Sequence, residues 1–129
     1  MKRIMMIMAL LAGMFSIANA EDKANIEFDS YTQNMGTFPE TEPVQKCSFT
    51  FKNTGSAPLI INQATASCGC TVPTYTKTPI APGATGTIDV TYNGKNRMTG
   101  HFKKTITVRT NAITEIVRLY IEGEMTEAK

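Results

Sequence analysis

The sequence has no tryptophan, one histidine and only three cysteines in 129 residues. A lone histidine, His101, excludes any site that needs two imidazoles from this chain. No glycine-rich turn leads into a helical pattern, so a phosphate-cradling loop is excluded as well. Ser67 stands beside no base and no oxyanion donor in the pattern, and nothing else assembles a nucleophile with a general base. An enzyme is therefore not expected. Charge is scarce in excess of either sign, with 13 basic and 11 acidic residues. Long apolar runs are absent except at the N-terminus.

That N-terminal run reads as an export signal over residues 1–20. Lys2 and Arg3 precede the apolar stretch Ile4 to Phe15, and Ala18-Asn19-Ala20 supplies the small residues of a cleavage site. Polar Ser16 and Asn19 interrupt it before the roughly 20 residues a membrane span requires. Position 21 is Glu21, not the cysteine that a lipid anchor needs. The expectation is a chain of residues 21–129 without membrane insertion, delivered to the periplasm or secreted. With Lys2 and Arg3 removed, eleven basic residues face eleven acidic ones. Such a balance gives no reason to expect nucleic acid or anionic lipid as a partner. An oxidising compartment favours paired cysteines, and three leave one over.

The remainder has the texture of a single all-β domain, rich in Thr, Ile, Val and Phe with recurrent turn signals. Residues 44–53 alternate, placing Cys47, Phe49 and Phe51 on one face. Cys47 is accordingly expected as a buried core thiol. Residues 59–67, 87–92, 101–110 and 116–125 read as further strands. Residues 71–76 contain Pro73, which suits an edge strand. Residues 25–30 form a first short strand, with 35–38 as its continuation. About seven antiparallel strands predict an immunoglobulin-like sandwich, with a closed barrel as the other arrangement of such strands.

The blocks Phe49 to Gly55, Pro58 to Ile61, Ser67-Cys68-Gly69-Cys70-Thr71, Pro82-Gly83, Gly100 to Lys104, Thr110-Asn111 and Gly123 run in this order. Together they resemble the immunoglobulin-like secreted bacterial family catalogued as domain of unknown function 1573. The resemblance spans about residues 26 to 125, and the Ser-Cys-Gly-Cys-Thr block is its most specific part. It implies a fold and an exported setting, but no activity. Cys47 lies outside the family pattern.

The pair Cys68 and Cys70 is the one chemically distinctive feature. In an extended strand their Cα atoms would stand about 6.5–7 Å apart, at the limit for a disulfide, although Gly69 permits a tighter turn. The strand path places the turn 93–100 at the same end of the sandwich, so Met98 and His101 are candidate accessory ligands. Two thiolates, a thioether and an imidazole suit Cu(I) better than zinc. Four readings stand open: a local bridge, a soft-metal site, a thiol-redox couple and a bridge to Cys47. Lys95, Arg97, Lys103 and Lys104 form a basic group that Glu115, Glu122 and Glu124 are placed to neutralise across strands. Two functions follow: a non-catalytic module that binds a protein or cell-surface partner, or a metal-handling or redox protein working through Cys68 and Cys70.

Overall fold

A computed structural model describes residues 22–128. The export signal read over residues 1–20 lies outside them. Eight strands form two packed sheets: β1 (Ile26–Phe28), β2 (Thr32–Pro39), β3 (Val44–Asn53), β4 (Ile61–Ala66), β5 (Thr71–Tyr75), β6 (Thr85–Asn93), β7 (Gly100–Thr110) and β8 (Ile116–Thr126). The first sheet has the order β1-β3-β6-β5 and the second β2-β8-β7-β4. The fold is an all-β sandwich, as expected.

Two details depart from about seven antiparallel strands. Residues 25–38 do not continue one strand but divide between the sheets. Asp29 N still donates to Thr50 O on β3, whereas Tyr31 O accepts from Tyr120 N on β8. Because the chain keeps its direction while changing sheets, β2 meets β8 in parallel. An Asx turn, in which Gly36 N donates to Asn34 Oδ1 at 2.7 Å, coincides with the register shift between Asn34 and Thr37. Gly36 sits there at φ 78°, where glycine carries no Cβ penalty.

Alternation fills the space between the sheets. Phe49, Phe51, Ile88, Val90, Ile106, Val108, Leu119 and Ile121 are buried to within 1%. Each large apolar side chain contributes about 1.5–3 kcal/mol on burial. Aromatic contacts replace the missing tryptophan: the Tyr92 and Phe102 rings stack at 4.1 Å, with Phe38 edge-on to both. Lys104, in the inward-facing register of Ile106 and Val108, is half-buried.

Asn53 closes one end of the sandwich. Its Oδ1 accepts from Asn25 N and Gly55 N at 3.2 and 3.0 Å, and its Nδ2 donates to Ala57 O and Ile80 O at 2.8 and 3.0 Å. The buried amide is fully satisfied. Gly55 is required beside it, since a Cβ there would lie 2.6 Å from Asn25 N.

Candidate functional site

At the opposite end the chain passes from one sheet to the other through the cysteine turn. Ser67 N donates to Thr105 O on β7, so Ser67 still belongs to the second sheet. Cys70 O accepts from Asn93 N at 2.8 Å, which ties Cys70 to the first sheet. Thr71 N returns to Cys68 O at 3.1 Å and closes the turn. Within it Cys68 and Cys70 are joined by a disulfide, with Cα atoms 5.1 Å apart. The turn at Gly69 thus brings the two residues well inside the reach that an extended strand would exceed.

The sulfurs occupy different surroundings. Cys70 is buried, and its Sγ lies 3.5 Å from the hydroxyl of buried Thr71. Cys68 is only half-buried, and its Sγ accepts the Cys70 peptide N–H at 3.1 Å. A ring this small restricts few unfolded conformations. The chain-entropy relation gives about 1.5 kcal/mol for three residues, against about 3 for a fifteen-residue loop. Stabilisation alone is a weak reason for this bond.

Met98 and His101 come from the same end of the sandwich but do not complete a ligand sphere with the pair. Met98 is 92% exposed. His101 Nε2 lies 3.3 Å from Glu122 Oε1 on the outer face of the second sheet. Among the described residues no group of three or more His, Cys, Asp or Glu side chains is placed to hold a metal. Sulfurs joined in a disulfide are not thiolate ligands, so Cu(I) binding would first require reduction. Of the basic group, Lys103 pairs in register with Glu122 and its ammonium lies 5.1 Å from the centre of the Tyr120 ring, whereas Lys104 stands opposite Ile121 and Glu124 opposite His101.

Cys47 keeps the register of Phe49 and Phe51, opposite Val90, and packs against the core. Full burial does not hold, however: the residue is half-buried and its thiol is free. Desolvation, reinforced by the Asp89 carboxylate, pushes the thiol from 9.0 up to about 11. Cys47 is therefore a neutral thiol at physiological pH and a poor nucleophile.

A surface depression of about 460 Å³ lies over the first sheet and is lined by Lys46, Cys47, Ser48, Thr74, Asp89, Val90 and Thr91. Its only carboxylate already accepts the Ser48 hydroxyl at 2.7 Å. This shallow groove does not include the cysteine pair.

One feature was missed in the sequence although it is printed there. Between Lys52 and Lys77 no residue is charged. The fold turns that stretch into β4, the cysteine turn and β5, the two edge strands on one flank of the sandwich. Tyr75 of β5 reaches across to Asn62 O of β4 at 3.4 Å.

The profile of the family described as protein of unknown function (DUF1573) matches residues 26–125. The chain belongs to that family. No curated protein matches this DUF1573 chain in sequence. Solved structures share its fold at low identity. A protein of unknown function from Porphyromonas gingivalis W83 superposes with a TM-score of 0.69 at 18% identity, over 86% of this chain and 51% of that one. The chain thus spans about half of that relative. The ASH / PapD-like domain 7 of human CEP192 gives 0.59 at 12% identity, over 83% and 89% of the two chains. The periplasmic chaperone SfaE gives 0.57 at 9% identity, over 81% and 59%. These likenesses show an immunoglobulin-like, PapD-like fold.

Proposed function

We propose that this DUF1573 domain is an exported, non-catalytic binding module that takes an extended segment of a protein or cell-surface partner at the open edge of β4. The observation that carries the reading is the chemistry of that edge. Ser67 N bonds to Thr105 O, and alternation along an antiparallel ladder then turns the backbone groups of Ala64 and Ala66 away from β7. Exposed edges are normally blunted by proline, charge or irregularity. Here β1 has only three residues and carries Glu27, β2 is broken at Gly36 and ends at Pro39, and β5 contains Pro73. Strand β4 has neither proline nor charge, and its register shift falls before Gln63. Such an edge offers main-chain hydrogen bonds to an added strand.

The test uses a photo-crosslinking residue at Thr65, with Thr87 on the outer face of the first sheet as the control, in cells expressing the full chain. A discrete adduct is expected at position 65 and not at 87. Ala64→Pro removes one outward N–H while leaving the ladder to β7 intact, and should abolish the adduct. Adducts equal at both positions, or unchanged by Ala64→Pro, would defeat the reading.

A further inference from the structure

The geometry points to the Cys68–Cys70 bond as a thiol–disulfide exchange couple in which Cys68 forms the mixed disulfide and Cys70 resolves it. The inference is independent of partner binding at β4 and rests on the unequal placement of the two sulfurs. Cys68 is half-buried at the exposed end of the sandwich, while Cys70 is 7% exposed beneath it. An incoming thiolate therefore reaches Cys68 first. The Cys70 peptide N–H, 3.1 Å from Cys68 Sγ, is also placed to stabilise negative charge on Cys68 once the bond is open. Access thus selects Cys68 for the first attack, while the peptide N–H favours Cys68 as the thiolate released in the second oxidising step and as the nucleophile in the reducing direction. The Thr71 hydroxyl, 3.5 Å from Cys70 Sγ, supplies a polar contact to the inner sulfur.

In the oxidising direction a substrate thiolate attacks Cys68 Sγ. A new S–S bond forms to Cys68, the Cys68–Cys70 bond breaks, and Cys70 leaves as a thiolate that takes a proton from water. A second substrate thiolate then attacks the substrate sulfur of the mixed disulfide and releases Cys68 as thiolate. Two substrate thiols become one disulfide, and the cysteine pair takes up the two electrons. The reverse sequence reduces a substrate disulfide, with Cys68 as nucleophile and Cys70 resolving. The substrates are accessible thiols or disulfides of other polypeptides, or small thiols. Cys47 takes no part, being a free, half-buried thiol in the β3 register opposite Val90.

The experiment uses the folded protein carrying Cys47→Ala, so that only the pair can react, with the glutathione couple as probe. In the Cys70→Ser variant of that protein, Cys68 should accept glutathione from its disulfide at least about tenfold faster than Cys70 does in the Cys68→Ser variant. Equal rates, or faster reaction at Cys70, would overturn the assignment. Should either serine variant fail to fold, the intact pair gives the same answer. Acid-quenched samples taken during reduction by glutathione should carry the adduct on Cys68 when mapped by mass spectrometry. An adduct on Cys70, or a folded protein that does not exchange where its urea-unfolded form does, would refute the proposal.

Discussion

At one end of the sandwich a buried amide holds the chain; at the other, a disulfide does. Asn53 makes four side-chain hydrogen bonds, while its own N–H and C=O bond to Ala84 O and Gly83 N at 2.9 and 2.8 Å. The cysteine turn makes few polar contacts and instead joins the sheets through Ser67, Cys70 and Asn93. An amide network of this kind is lost only when the structure around it opens. A disulfide can be opened chemically while everything around it stays folded. The first end is built for permanence, and the second has a covalent lock that other thiols can address.

That contrast is most strongly challenged at Asn53. Asn53→Ala should strand the carbonyls of Ala57 and Ile80 and the amides of Asn25 and Gly55, lowering unfolding free energy by about 4 kcal/mol in urea titration. A loss no greater than that of an ordinary surface residue would mean that water replaces the amide without penalty. Phe102→Ala removes the ring stacked on Tyr92 near the cysteine end and should cost about 2 kcal/mol by the same measurement. Cys68→Ser with Cys70→Ser should cost only about 1.5 kcal/mol, given the short loop, and leave the far-ultraviolet circular dichroism unchanged. A loss equal to that at Asn53 would make the disulfide a structural staple and erase the distinction. The smallest effect belongs to Cys47. Its thiol is held up to about 11 in the folded chain, so a proton retained on folding is lost on unfolding above pH 9. Its contribution is complete below about pH 9 and disappears as pH rises towards 11. Cys47→Ala should flatten the alkaline fall in melting temperature over that window.

Much of this architecture was legible because alternation reports which face is buried. Residues 44–53 were read as a strand and form β3 with the same limits, and Pro73 marked β5 as an edge strand. The change of sheet between β1 and β2 was not legible, since period two states which way side chains point but not which sheet receives them. Half-burial of Cys47 escaped the pattern for a related reason: register fixes the face, but not how closely neighbouring side chains cover a position. At the candidate site, sequence supplied the cysteine pair and its end of the sandwich. It did not supply the inequality of the two sulfurs, which depends on Cys70 lying inside the turn. The uncharged stretch between Lys52 and Lys77 was available to inspection, but its meaning required knowing that β4 and β5 lie at edges.

The parallel pairing of β2 with β8 has a consequence for the order of events in folding. Thr126 reaches back to Phe38 O across 88 positions of sequence. Contacts this distant carry a large loop-closure cost and slow the approach to the native state. During vectorial synthesis β2 emerges early, yet among the described residues its only sheet neighbour is β8, the last of the eight strands. Until β8 arrives, β2 has no ladder to join, and the second sheet remains incomplete along that border. The domain therefore has a built-in delay: final zipping of the second sheet waits for β8.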